Sequence, residues 1–292
     1  KTGIAERRYT ELDLDDLALA AAEAALRKAG RQPEEMAAVL VCSCTSARTM
    51  PSVAARLSAR LAIGQTAASY DLVAACAGLP YALAAAVRLL QETQRPSLVV
   101  GAEKFSDKIG AVRASRMLFG DGAAAVVVGP AAPGDLPDLE IFQTYASGPV
   151  SEVESIIWPN QDFDHGVTVY GPEVRSLVRR YLAQMVRELK ALPHPDGAVG
   201  SAFDAIDLVV PHQANREMVT ALAQEAGLPP ERLYFNIQRM GNTSAASIAL
   251  ALEDAAREGV IDRPLRVFTP AFGAGAVGGY AVMRVDPEVV GA

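Results

Sequence analysis

Three Cys and three His supply every thiol and imidazole of this 292-residue chain, so a nucleophile or general base of either kind has few possible positions. Cys76 stands in Asp71-Leu72-Val73-Ala74-Ala75-Cys76-Ala77-Gly78, between a strand-like run and a very apolar helical one. A thiol at a strand-to-helix turn meets the positive end of the helix dipole, which favours the nucleophilic thiolate. Taken without its surroundings, the same residue is a small buried hydrophobe, the usual fate of a free cysteine. Cys42 and Cys44 make a C-x-C within or beside a strand. No second ligand pair accompanies them, so they read as core and no metal site is expected.

His212 follows Val209-Val210-Pro211 and opens into Gln213-Ala214-Asn215. That address, the C-terminal end of a strand, is where α/β sheets hold their ligands. His165 and His194 lie in polar or proline-flanked stretches and read as solvated loop residues. Asn242, in Met240-Gly241-Asn242-Thr243-Ser244, reads by itself as ordinary helix-start chemistry. The run Gly273-Ala274-Gly275-Ala276-Val277-Gly278 matches G-x-G-x-x-G literally. A dinucleotide site needs a helix after the glycines and a carboxylate about 20 residues on. Here the chain continues into the strand-like Tyr280-Ala281-Val282-Met283, so NAD is rejected. The glycines read instead as a tight turn that brings backbone N–H groups to a site, as an oxyanion hole does.

The elements that must position these residues come in two similar sets. Apolar spacing predicts helices over 13–29, 51–61 and 77–90, and strands over 37–42, 69–73, 97–101 and 123–128. A second set follows, with helices over 173–192, 215–226 and 244–257 and strands over 206–210, 233–237, 266–269 and 280–285. Landmarks coincide between the sets. Leu40 to Cys44 sits where Val209 to His212 sits, and Phe119-Gly120-Asp121-Gly122 matches Phe272-Gly273-Ala274-Gly275. Cys76 and Asn242 then fall in equivalent strand-to-helix turns. A repeat this long is no solenoid. It predicts two α/β halves, residues 1–130 and 135–292, related by a pseudo-twofold axis and joined through Pro130-Ala131-Ala132-Pro133-Gly134.

Composition narrows the classes further. Half of the residues are hydrophobic but only 6% aromatic, so the core is built from Ala, Val and Leu, and disorder is excluded. The 27 Lys and Arg against 34 Asp and Glu leave a net charge of −7, which argues against a nucleic-acid or membrane-surface binder. No apolar run reaches the length of about 18 residues that spanning a membrane requires. Few cysteines and no secretory signal point to a reducing cytoplasm. The chain opens at Lys1 with no Met and no strand before it, so further sequence is expected upstream.

Together these motifs carry a resemblance. Ala75-Cys76-Ala77-Gly78, Phe119-Gly120-Asp121-Gly122, Val210-Pro211-His212-Gln213-Ala214-Asn215, Gly241-Asn242-Thr243-Ser244-Ala245-Ala246-Ser247 and Phe272-Gly273-Ala274-Gly275 resemble those of β-ketoacyl-acyl-carrier-protein synthase III, of the thiolase-like superfamily. His212 follows Cys76 by 136 residues and Asn242 follows by a further 30, as in that family. The resemblance covers the whole chain and implies a layered αβαβα fold. It implies that Cys76 takes an acyl group from acyl-CoA, and that His212 and Asn242 stabilise the enolate formed as malonyl-acyl carrier protein loses CO₂. Backbone N–H groups of Cys76 and Ala274 would form the oxyanion hole. Lys1, Arg113, Gly171, Ala214, Asn215 and Phe272 would contact the CoA substrate, with no cofactor and no metal. Met50 falls where the family closes the acyl pocket across a homodimer interface, often with Phe, and Met there would admit a longer or branched chain. Carrier-protein docking would fall to Arg175, Arg179 and Arg216, beside Arg180 and Arg187. The stretch upstream would hold a first strand and part of the CoA entrance.

Two departures keep other readings open. Pro172 and Arg175 replace the Asn and Phe usual along the family's pantetheine tunnel. They leave room for an acyltransferase of secondary metabolism that moves the acyl group to an alcohol or amine without condensation. A papain-like peptidase shares the order Cys, His, Asn, but the Cys context and the duplicated α/β pattern are wrong for it. A non-catalytic partner subunit fits poorly with Cys76, His212 and Asn242 all present.

Overall fold

The computed structural model describes residues 1–109 and 112–290. One four-stranded sheet holds β1 (Ala38–Cys42), β2 (Ala68–Leu72), β3 (Ser97–Glu103) and β4 (Gly122–Val128) in the order β2-β1-β3-β4. Its first three strands are parallel and β4 runs antiparallel to β3. A second sheet orders β5 (Leu139–Tyr145), β10 (Val277–Val285), β9 (Leu265–Gly273) and β8 (Leu208–Val209) as β5-β10-β9-β8. There β8 is parallel to β9, and β10 is antiparallel to both neighbours. Thus β8, β9 and β10 repeat β1, β3 and β4. A small hairpin pairs β6 (Ile156–Ile157) with β7 (Thr168–Val169).

Alternation along the strands sorts the helices into layers. Val39 and Val41 of β1 turn to one face, with Leu98 and Val100, and meet α1 (Leu14–Lys28) and α2 (Val53–Arg60). Leu14, Ala18, Ala22 and Leu26 form the buried stripe of α1 at the four-residue spacing a helix gives one face. Leu40 and Cys42 turn the other way, toward α3 (Gly78–Thr93) and α9 (Ser247–Arg257), and Val267, Ala271 and Ala281 of the second sheet meet the same two helices. On the far face of that sheet, Phe268, Tyr280 and Val282 pack on α6 (Gly171–Ala191) and α7 (Arg216–Ala226). The result is the expected five-layered αβαβα sandwich, with α3 and α9 in its middle layer. Short helices α4 (Arg113–Leu118), α5 (Val150–Val153) and α8 (Ile237–Met240) lie in the connections.

The inner layer is close because its residues are small. A Cβ on Gly78 would stand 2.8 Å from the Cβ of Cys42 and 2.9 Å from that of Ala245, so the turns leading into α3 and α9 touch where only glycine fits. Elsewhere the termini are fixed by side chains. Asp71 on β2 accepts the N–H groups of Val53 and Ala54 at 2.8 Å each, capping α2. Asp121 accepts from Ser106 N at 2.8 Å and Thr10 N at 3.0 Å, so the Gly-Asp-Gly motif ties two loops together.

Some expectations need correction. The strand anticipated over 233–237 reduces to one bridge between Leu233 and Val209. The N–H groups of Asn236 and Ile237 go to Gln213 Oε1, at 3.1 and 3.2 Å, and the chain turns into α8. Helix α9 begins three residues later than expected, after a 3₁₀ turn over Ser244–Ala246. Strand β5 was not foreseen.

Candidate active site

Cys76 is the middle residue of a 3₁₀ turn, Ala75–Ala77, that runs directly into α3. Ala75 is left-handed, with φ +42°, and Ser244, which opens the matching turn ahead of α9, has φ +47°. Such backbone costs about 1–3 kcal/mol in a residue with a Cβ, and it persists where the surroundings enforce it. The pair marks the two turns as equivalents. Counted from these residues, the counterpart of Cys76 is Ala245, and Asn242 precedes its turn. Asn242 therefore lies just ahead of the turn that matches that of Cys76, not within it.

His212 hangs from the second sheet. The β8–β9 ladder continues past β8 through Val210 N to Phe268 O and His212 N to Pro270 O, each 2.9 Å. Its Nδ1 lies 2.8 Å from Ser247 Oγ, in the first turn of α9. That hydroxyl also accepts Gln213 N–H at 3.4 Å; with its own proton directed at Nδ1, Nε2 carries the ring hydrogen. Burial pushes His212 down to about 3, which leaves the imidazole a neutral donor. Asn242 is fixed similarly. Its backbone bridges Phe119, and its Oδ1 accepts Ser244 N–H at 2.8 Å, so the amide NH₂ is the free end. Burial pushes the Cys76 thiol up to about 12, while the Ser244 hydroxyl beside it works the other way. The helix-dipole argument from sequence omitted this desolvation.

Cys76, His212 and Asn242 all line one cavity of about 110 Å³, together with Gly171, Ala214, Asn215 and Phe272. The rest of its wall is apolar and includes Leu118, Ile156, Val169 and Met218, none of which sequence reasoning had singled out. Asn215 also caps α7 by accepting Met218 N–H at 3.0 Å. Gly273 closes one side. A Cβ there would lie 2.8 Å from Ala74 O and 3.0 Å from Cys76 N, so the strand end preceding Ala274 presses on the nucleophile's own peptide. Gly275 at φ +83° and Ala276 at φ +50° then make the tight turn between β9 and β10, a hairpin with two successive left-handed residues. A wider depression of about 570 Å³, bounded by Lys190, Pro193 and Asp204, contains none of these groups.

The outlying residues divide. Arg216 N donates to Thr2 O at 2.9 Å, which brings the segment after Lys1 to the start of α7 beside Asn215. Arg113 opens α4 and is exposed. Arg175 and Arg179, expected to dock carrier protein, share one carboxylate, Glu225, at 3.5 and 2.9 Å, so both are partly neutralised. Arg180 is held by Glu152. Met50 is 83% exposed and stands outside the cavity wall. Among the described residues no group of three His, Cys, Asp or Glu is placed to hold a metal ion, and no helix is long and apolar enough to cross a membrane. Ser247, whose hydroxyl meets His212 Nδ1, was visible in sequence only as the last residue of the Asn242 motif.

The whole chain has known counterparts. Residues 70–145 match the family model described as 3-oxoacyl-[acyl-carrier-protein] synthase III, and residues 198–285 match the model of its C-terminal part. A β-ketoacyl-[acyl-carrier-protein] synthase III of Yersinia pseudotuberculosis is 34% identical over 290 residues, covering 97% of this chain and 89% of that protein. The crystal structure of the 3-oxoacyl-[acyl-carrier-protein] synthase III of Aquifex aeolicus superposes with a TM-score of 0.84 at 34% identity, covering 97% of this chain and 89% of that one. The Pseudomonas aeruginosa enzyme of the same description gives a TM-score of 0.85 at 32% identity, covering 98% and 87%. With both halves matched in sequence and in fold, this chain belongs to the β-ketoacyl-[acyl-carrier-protein] synthase III family of condensing acyltransferases.

Proposed function

We propose that Cys76 accepts an acyl group from acyl-CoA and that the acyl-enzyme then condenses with malonyl-acyl carrier protein. The observation that carries this reading is the meeting of Cys76, His212 and Asn242 on one cavity wall, with Ser247 on Nδ1 of His212 and Ser244 on Oδ1 of Asn242, so that among the described residues no protein group takes Nε2 or the Asn242 amide NH₂. Thioester exchange splits a hard condensation into two steps. In the second, Nε2–H of His212 and the amide of Asn242 hydrogen-bond the malonyl thioester oxygen as CO₂ departs. Both stabilise the enolate without a fixed charge that would bind the ground state equally well. The enolate carbon attacks the acyl-Cys76 carbonyl, and the N–H groups of Cys76 and Ala274 receive the oxyanion, each such donor contributing about 3–4 kcal/mol in typical cases.

Residues 1–130 supply the nucleophile and residues 135–292 the decarboxylating pair. Gly171, Ala214, Asn215 and Phe272 line the passage for the pantetheine arm, with Lys1 and Arg113 toward the nucleotide. Carrier protein docks against Arg216, with Arg175 and Arg179 contributing once Glu225 is displaced. The enzyme works in the cytoplasm as a homodimer, in which Met50 closes the partner's acyl pocket and admits a longer or branched primer.

Incubation with acyl-CoA should add one acyl mass to the peptide containing Cys76, and none in Cys76→Ala. Malonyl-carrier protein added next should release CO₂ and discharge the acyl group as a β-ketoacyl product. Acyl transfer to Cys76 with no CO₂ on that second addition would overturn condensation in favour of transfer to an alcohol or amine.

A further inference from the structure

Helix α6 sends two neighbouring side chains, Arg180 and Tyr181, back toward the hairpin that joins β9 to β10. Tyr181 is buried, and its hydroxyl donates between two carbonyls, Ala276 O at 2.8 Å and Ser147 O at 3.1 Å. Its ring is closely held. Tyr145 stacks on it with centroids 5.3 Å apart, and a Cβ on Gly278 of β10 would stand 2.9 Å from its Cδ2. Ala276, whose carbonyl it takes, is wholly buried and left-handed at φ +50°. Such backbone is strained in a residue with a Cβ and persists only where its neighbours enforce it.

Arg180 reaches the same hairpin through a second arm. Its Nε donates to Glu152 Oε2 at 2.8 Å, and Ser176 Oγ donates to Glu152 Oε1 at 2.9 Å, so the buried carboxylate of Glu152 fixes α5 on α6. A carboxylate is held in the interior where a cation and hydrogen bonds replace the water it lost. Val153, the last residue of α5, then accepts Gly275 N–H on its carbonyl at 3.2 Å. The two arms touch, since the Arg180 guanidinium lies over the Tyr181 ring, 4.1 Å from its centroid. A Cβ on Gly148 would stand 2.6 Å from Arg180 Nη2 and 3.2 Å from the Ala276 Cβ, so the link from β5 to α5 lies close against both. Gly275 and Ala276, the two residues after Ala274, are thus each bonded to a different arm.

We propose that Tyr181, with the Arg180–Glu152 pair beside it, is a positioning residue for the oxyanion hole, holding the turn that carries the Ala274 N–H against Cys76. This rests on the reading that Cys76 is acylated through an oxyanion received by Ala274. Tyr181 and Glu152 stand outside the wall of the cavity that Cys76, His212 and Asn242 line, so their effect is geometric. Ala274-Gly275-Ala276 has no side chain larger than a methyl group with which to fix itself, so its position is set by whatever takes its backbone groups. On its near side Gly273 already abuts Ala74 O and Cys76 N; on its far side the two arms take Gly275 N–H and Ala276 O. A backbone donor stabilises a transition state only when it is aimed beforehand at the place where charge develops, and small displacements weaken it steeply.

Tyr181→Phe deletes one oxygen and keeps the ring, and Tyr145→Phe, whose hydroxyl goes to Glu188 and not to the turn, is the control. Single-turnover acyl transfer from acyl-CoA to Cys76 should slow at least about tenfold in Tyr181→Phe, with the half-saturating acyl-CoA concentration unchanged. Alkylation of the Cys76 thiol by iodoacetamide, a displacement that forms no oxyanion, should stay within about twofold of the parent when read on the Cys76 peptide. Glu152→Gln, which keeps the shape of the second arm without its charge, should show the same split to a smaller degree. In Tyr145→Phe both rates should stay within about twofold. Acyl transfer at the parental rate in Tyr181→Phe overturns the proposal. A parallel fall of acyl transfer and alkylation, or an equal fall in Tyr145→Phe, overturns it too, because either marks a structural role. Should Tyr181→Phe not fold, parental acyl transfer in Glu152→Gln overturns it instead. If the parent itself takes no acyl group on Cys76, the reading of the nucleophile fails, and the role given to Tyr181 falls with it.

Discussion

At the scale of single residues, the site is governed by desolvation more than by charge pairing. His212 is the clearest case: burial pushes it down to about 3 from an ordinary 6.5. Between those values the unfolded chain binds a proton that the folded chain refuses. Stability is therefore undiminished by this residue above pH 6.5 and is lost as pH falls through the window toward 3. From pH 7 to pH 5 the loss amounts to about 2 kcal/mol, a figure set by the unfolded pKa as long as the folded one stays well below 5. In His212→Gln that increment should vanish. Denaturant midpoints at pH 7 and pH 5 should converge in the variant relative to the parent. An unchanged difference between the two pH values would mean that His212 accepts a proton in the folded chain.

At the scale of elements, two helix starts meet across a pseudo-twofold axis, and glycine permits it. Gly78→Val keeps a helical backbone but places a Cβ 2.8 Å from Cys42 and 2.9 Å from Ala245. The expected cost is about 1–3 kcal/mol or more, with loss of activity because Cys76 and the turn after Asn242 are pushed apart. Gly64, whose added Cβ would meet nothing within 4 Å, supplies the control: Gly64→Ala should shift stability by no more than about 0.5 kcal/mol. Equal thermal midpoints for the two variants would refute the close approach. Much of this arrangement was legible beforehand, because α1, α3, α6 and α9 carry sustained apolar faces and the repeated motifs tie the halves together. What escaped has physical reasons. Strand β5 alternates, as in Leu139-Glu140-Ile141, and follows a proline-rich linker, so no continuous apolar run announces it. Residues 233–237 are apolar enough for a strand, yet Gln213 takes the N–H groups of Asn236 and Ile237 that a ladder would need. Cys76, His212 and Asn242 stood out by type and address. Ser247 did not, since nothing local tells a residue opening a helix that its hydroxyl will face His212, 35 positions away in sequence.

At the scale of the whole molecule, one sheet edge stands out, the outer side of β2. Strand β2 is outermost in its sheet, and among the described residues no strand pairs with its outer side. Tyr70 on it is 39% exposed, Val73 just past its end 76%, and Met50, ahead of α2, 83%. An open edge flanked by exposed apolar side chains is a template for another strand. In the proposed homodimer a second copy related by a twofold axis would meet that need with the same surface on both sides, joining two four-stranded sheets into one. Cys76 lies only four residues beyond the end of β2, so in that proposed dimer the same contact would carry Met50 toward the partner's site. Tyr70→Lys puts a charge at the middle of the edge and should convert a parent that sediments as a dimer into a single chain. Selectivity should follow assembly. In the dimer, Met50→Phe should narrow the range of acyl-CoA chain lengths accepted, whereas in the Tyr70→Lys background the same change should leave the range as it is. A parent that sediments as a single chain with full activity would remove both expectations, and strict preference of the dimer for acetyl-CoA would remove the role given to Met50.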